Sequence, residues 1–326
     1  GPGAQSQDIL GAWSWQGKKE EAISLVAGAQ KLTTNLLVAQ EPFDYFEPTA
    51  AAIEEALTLA SQADKVVVAL GETDWMSGEA ASRSDIRLPE KQLAVVAQII
   101  EKNPNVVVTV YSGRPLDLQE IDVAKGIVQA WQPGTEGGNA LAEILWGEYN
   151  PSGRLSMSFP ETVGQVPIFY NVDNTGRPYE SAPEEKYVSK YLDVSNYAKY
   201  PFGFGLSYSH FSYQPIQLSA LTFTKEQPVT VSVLVRNDSP IAGEETVQFY
   251  VRDLVGQVVR PIKELKDFQK VWLEPKEEKE VQFLLSEDMV RYVHSDNQVT
   301  SDAGEFIVMI GGNSRDVQTA TVTLNE

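Results

Sequence analysis

The chain has 326 residues, 42 % hydrophobic and 10 % aromatic, which is ample for a packed core and more than one domain usually holds. Its formal charge of −19, from 45 acidic against 26 basic residues, excludes the concentrated basic surface that nucleic acid or an anionic membrane would require, while a neutral substrate such as a sugar suits it. Cysteine is absent and the only histidines are His210 and His294, so disulfides, thiolate nucleophiles, cysteine or histidine metal sites and a Ser-His-Asp triad all lack support.

The chain opens Gly1-Pro2-Gly3 without an initiator methionine or a signal peptide, which reads as a cleavage scar or a cut within a longer protein and says nothing of compartment. No apolar run approaches the roughly 20 residues that span a bilayer. Asn35–Ala39 is a weak first strand candidate. Ala50–Ala63 follows as an amphipathic helix, with Ile53, Ala56, Leu57 and Ala60 on one face. Lys65–Leu70 is a near-continuous apolar run of the kind that forms a parallel strand covered on both faces. Glu90–Lys102 is a second helix, with Pro89 at its start, where a proline is tolerated. Val106–Tyr111 and Gly126–Trp131 are further buried strands, and Asn139–Trp146 is a third helix. This alternation predicts an α/β layered domain with a mostly parallel sheet.

Thr175–Tyr200 is polar, aromatic-rich and weakly periodic, and reads as a long ordered loop or arm. Beyond it the texture changes. Val229–Val235 alternates apolar and polar residues, and Thr246–Val251, Lys279–Leu285 and Gly304–Ile310 follow between turn-rich stretches, the pattern of a small β-sandwich. The predicted organisation is therefore α/β plus all-β, with domains at 1–212 and 213–326. The two histidines read as surface or structural residues.

Ligand sites in open α/β sheets lie at the carboxyl ends of strands. The strand ending at Leu70 runs into a long loop, Gly71–Pro89, holding the carboxylates Glu72, Asp74, Glu79 and Asp85, the arginines Arg83 and Arg87, and Trp75. Glu72 and Asp74 lack the repeated acidic spacing of a calcium loop. Carboxylate acid–base chemistry with Trp75 as a sugar platform is the alternative, because glycosidases use two carboxylates, one protonating the leaving oxygen and one attacking the anomeric carbon. A solvated surface loop also accounts for the composition.

The segment Ser77-Gly78-Glu79-Ala80-Ala81-Ser82-Arg83-Ser84-Asp85-Ile86-Arg87-Leu88-Pro89 resembles the acid/base loop of glycoside hydrolase family 3, in its bacterial periplasmic β-glucosidase branch. Four further stretches agree in order: Ser112-Gly113-Arg114-Pro115-Leu116, Trp131–Ala140 with its glycines, Gly147–Phe159, and Tyr200–Tyr208. Arg260–Leu265 is similar to a loop of the family's fibronectin type III-like sandwich, and is read as structural. The resemblance implies retaining hydrolysis of terminal β-linked glucose or similar sugars, without cofactor or metal. It implies Glu79 as general acid/base, with a pKa raised by apolar surroundings or by the nucleophile's charge. Trp75 and Met76 would line the leaving-group side. Arg83 and Asp85 are expected to hold the loop by an ion pair or local hydrogen bonds, and Glu136 to serve a helix start.

In that family the nucleophilic aspartate lies in an N-terminal (β/α)8 barrel, which this sequence does not contain. The resemblance therefore implies that the barrel is the chain's partner and that the chain alone is inactive, since a retaining mechanism needs both carboxylates. It also implies a periplasmic or secreted location and leaves a homodimer open. A non-catalytic carbohydrate-binding or scaffold module is the competing reading, but such a module has no need of the Glu79 motif. A β-N-acetylhexosaminidase of the same family is disfavoured, because there the acid/base resembles a barrel residue.

Overall fold

The computed structural model describes residues 1–325, which form two packed units. The first comprises Gly1–Tyr149 and Pro160–Val166. Its helix α1, Leu25–Leu32, starts where the Ser24 hydroxyl accepts the Ala27 N–H, and α2, Ala50–Gln62, starts on Thr49 in the same way. Then come strand β1, Val66–Gly71, helix α3, Glu90–Lys102, strand β2, Val106–Tyr111, strand β3, Gly126–Gln129, and helix α4, Gly137–Trp146. The three strands form a parallel sheet in the order β1-β2-β3. Val68, Leu70, Val106, Val108 and Val110 are buried on one face and Ala69, Thr109 and Tyr111 on the other, as in strands covered on both faces.

Asn35–Ala39 is not a strand. The segment forms no ladder: the Gln5 and Gln40 side-chain amides donate to the Ala39 and Val38 carbonyls, the Asn35 N–H donates to the Thr33 hydroxyl, and Leu37 stays exposed. A strand exists only where a ladder partner takes up its backbone groups. The third strand is also shorter than predicted: Ala130 still donates to Val110 and the Trp131 carbonyl accepts the Ser112 N–H, but Trp131 has a positive φ of 55° that ends the regular ladder.

Helix α1 packs on α4 through glycine. A Cβ on Gly28 would lie 2.2 Å from the Gly138 carbonyl oxygen, and one on Gly138 would lie 2.1 Å from that of Ser24. Neither position can hold a side chain at this separation.

The second unit comprises Asn150–Phe159 and Pro167–Glu326. It contains β4, Phe211–Tyr213, β5, Gln217–Leu218, β6, Thr222–Phe223, β7, Val229–Asn237, β8, Gly243–Asp253, β9, Glu264–Leu273, and β10, Glu278–Leu285. A short hairpin of β11, Tyr292–Val293, and β12, Val299–Thr300, precedes β13, Gly304–Gly311, and β14, Val317–Leu324. One sheet has the order β10-β7-β4 with β5 also on β7, and the other is five-stranded in the order β6-β14-β13-β8-β9. Val231, Val233 and Val235 from one sheet meet Phe249, Val308 and Ile310 from the other, and Phe249 stacks on Phe283 with centroids 5.0 Å apart. Each such side chain contributes about 1.5–3 kcal/mol by leaving water.

The predicted arm has no strand between 175 and 200 and is held within this unit by aromatic contacts at its flanks. Tyr170 stacks on Phe202 at 4.3 Å and meets Tyr250 edge-on, and Tyr200 stacks on Phe204. Arg260, at the loop expected to be structural, pairs with Glu264 at 2.9 Å and lies over the Tyr292 ring. His294 is buried against Tyr292, whereas His210 is exposed.

Candidate active site

Strand β1 ends at Gly71, where φ is 155° and a Cβ would lie 2.2 Å from the Tyr111 carbonyl oxygen. The fully buried Gln92 of α3 bonds both backbone groups of Gly71, so the helix fixes the point from which the loop departs. Glu72 continues the parallel ladder by donating to Tyr111. Its side chain is 1 % exposed and lies between two guanidinium groups, Arg83 at 2.6 Å and Arg114 at 3.2 Å. A carboxylate this deep is tolerated because paired cations and hydrogen bonds replace its water.

The two arginines hold the loop's backbone as well. Arg83 donates to the Arg87 carbonyl at 3.0 Å. Arg114 donates to the Met76 carbonyl and, at 3.3 Å, to the Ala81 carbonyl. Between those two carbonyls lies a tight turn closed by the Ala81 N–H on the Gly78 carbonyl at 3.3 Å. Gly78 has a φ of 135° and Ala80 of 59°. Glu79 stands at the tip of this turn, exposed, and its carboxylate has no hydrogen bond or ion pair among the described residues. The apolar enclosure anticipated for it is not supplied by this chain.

Trp75 lies on a short 3₁₀ turn, Asp74–Met76, with 88 % of its surface exposed, and Met76 beside it is half-buried. Asp74 pairs with Lys19 at 3.0 Å, and Lys19 also meets Asp8 at 2.7 Å. Its pKa is raised, first by the hydrogen bond to Asp8 and also by that to Asp74. This ties the segment carrying Trp13 and Trp15, 68 % and 92 % exposed, to the base of the Glu79 loop. Sequence reasoning passed over both indoles, although Trp-Ser-Trp set between Gly11 and Gly17 was a signal for presented aromatic faces.

Arg83 and Asp85 do not pair with each other. Arg83 takes Glu72, whereas Asp85 pairs with Arg87 at 2.6 Å. Glu136 stands at the start of α4 and accepts from the Asn139 side chain, in the helix-start place expected of it. A small cavity of about 10 Å³ lies beside the loop, lined by Asp8, Glu72, Asp74, Tyr111 and Trp131 among others. That is far below the roughly 300–1,000 Å³ of ordinary ligand pockets and holds no more than a water, so this unit by itself encloses no ligand-sized pocket there. Among the described residues no three Asp, Glu or His side chains come together as metal ligands, and no helix is long and apolar enough to cross a membrane.

The family model described as the glycosyl hydrolase family 3 C-terminal domain matches residues 1–208. The chain belongs to glycoside hydrolase family 3. A fibronectin type III-like domain model matches residues 245–314, within the second unit. The chain is 36 % identical to the periplasmic β-glucosidase of Salmonella typhimurium, over 99 % of this chain and 46 % of that protein. It is 34 % identical to a β-xylosidase of Formosa agariphila over 83 % of this chain and 37 % of that one. The β-glucosidase from Listeria innocua, solved with glucose and as a mutant with laminaribiose, superposes with a TM-score of 0.93 at 37 % identity, over all of this chain and 45 % of its own. This family 3 chain thus spans about half the length of the relatives it matches.

Proposed function

We propose that this chain supplies the general acid/base, Glu79, to a retaining β-glycosidase acting on terminal β-linked glucose or a similar sugar. The observation that carries the reading is the setting of Glu79: an unpaired, exposed carboxylate at the tip of a turn whose flanks are fixed, beyond the carboxyl end of β1. As acid it protonates the glycosidic oxygen as the aglycone leaves. As base it takes a proton from the water that hydrolyses the glycosyl-enzyme. The exposed indoles of Trp75, Trp13 and Trp15 offer flat apolar faces for the leaving group, with Met76 next to Trp75 on the same turn. The nucleophile belongs to a further domain of the kind the longer relatives have room for, and the isolated chain is inactive. The named periplasmic relative supports a periplasmic or secreted location.

The test uses the full-length enzyme containing this chain. Glu79→Ala should lower kcat/KM for an alkyl β-glucoside by about 10²–10⁴-fold. Azide should restore turnover of an aryl β-glucoside and yield a glycosyl azide of retained configuration. A loss below about tenfold, with no azide product, would remove Glu79 from the acid/base role.

A further inference from the structure

We propose that Arg114 is a positioning residue for Glu79: one guanidinium, delivered from the end of the neighbouring strand, holds both flanks of the acid/base turn. The inference rests on the acid/base reading of Glu79.

The geometry is specific to the turn. Arg114 donates to the carbonyl of Met76, three residues before Glu79, and to that of Ala81, two residues after it. The intervening residues include two positive φ angles, so the turn is not a conformation the backbone adopts by default. Its own closing bond, at 3.3 Å, is long. A planar guanidinium can serve two carbonyls and a carboxylate together, because its donors are fixed in a fork, and an ammonium cannot reproduce that fork.

The group is itself well placed. Arg114 follows β2, the direct partner of β1, and Glu72 on β1's continuation takes its Nε at 3.2 Å. Ser112 bonds the Arg114 carbonyl at 2.8 Å and accepts from Gln129 of β3 at 2.9 Å. At Gly113 a Cβ would lie 1.9 Å from the Ser77 Oγ, so the loop seats directly on this stretch. All three strands of the sheet therefore contribute to the mount.

A misplaced acid fails selectively. A 2,4-dinitrophenyl leaving group departs without a proton, whereas an alkyl leaving group needs one. In the full-length enzyme, Arg114→Met should lower kcat/KM for the alkyl β-glucoside at least about tenfold more than for the dinitrophenyl β-glucoside. Arg114→Lys keeps a cation beside Glu72 and so protects folding, but it loses the fork, and the same bias should appear in it. Glu79→Ala measured alongside sets the full size of the bias. Equal losses on both substrates in a folded Arg114→Met, or a wild-type ratio in Arg114→Lys, overturn the positioning role while Glu79→Ala still shows its bias. If Glu79→Ala shows no bias either, the acid/base reading itself fails.

Discussion

Asp85 lies two residues from both Arg83 and Arg87, yet only Arg87 takes it. The Arg87 guanidinium, then its backbone N–H, hold the Asp85 carboxyl down to about 2. A carboxylate whose folded pKa lies below its unfolded value adds stability above the unfolded pKa of about 3.9. That contribution is lost as the pH falls through about 2. Thermal melts of wild type and Asp85→Asn between pH 2 and 7 should therefore differ slightly at neutral pH and converge in acid. The difference is small because the pair is half exposed and screened by solvent. A gap that does not change with pH would show that the pair contributes nothing. At this scale the loop that carries Glu79 was legible, because its motif is contiguous. The sequence was silent about the Glu72–Arg114 contact, since those residues lie 42 positions apart and meet only because β1 and β2 are parallel neighbours.

The α1–α4 contact depends on the absence of two side chains. Gly138→Ala would drive a Cβ toward the Ser24 carbonyl, a backbone atom that cannot swing aside. The alanine gains roughly 1 kcal/mol of helix propensity, and overpacking costs about 1–3 kcal/mol or more. A net loss of about 1–2 kcal/mol is expected in denaturant unfolding followed by a probe in the first unit. Gly126→Ala, in the same unit and with nothing nearer its Cβ than a Val107 methyl at 3.8 Å, is the control and should be near neutral. If both behave alike, the helices are not packed this closely. Legibility varied among elements for definite reasons. Helix α3 and strand β2 were read to the residue, because Pro89, Asn103-Pro104 and Ser112-Gly113 punctuate their ends. Helix α1 escaped notice because it is short and carries Ala27, Gly28 and Ala29 in place of a bulky apolar stripe, although Ser24 stood ready as its cap. Strand β9 escaped because it is an edge strand whose exposed positions hold Phe268, Lys270 and Trp272 while Asp267 and Gln269 lie between them, so apolar and polar residues do not sort by face.

For the molecule as a whole, retaining hydrolysis needs a second carboxylate able to reach the anomeric carbon. The other acids of the loop are committed: Glu72 is buried between arginines, Asp74 pairs with Lys19, and Asp85 with Arg87. The purified 326-residue chain should accordingly show no turnover of a dinitrophenyl β-glucoside above the uncatalysed rate, and measurable hydrolysis would mean a nucleophile within it. The texture of the sequence divided the chain at 212/213, while packing joins Asn150–Phe159 and the arm to the sandwich. Side chains such as Arg154 on Glu245 make that connection over 91 positions, a distance at which local composition carries no signal. The mount of the Glu79 turn has a practical corollary for enzyme engineering. Its anchors, Glu72, Arg83 and Arg114, lie outside residues 77–80, but Ser77 seats on Gly113 and Gly78 and Ala80 take positive φ, so only changes that keep this backbone can be made around Glu79. If Glu79 has the acid/base role proposed for it, new aglycone preferences are to be sought at the exposed Trp75, Trp13 and Trp15, with the sheet that carries the turn left untouched.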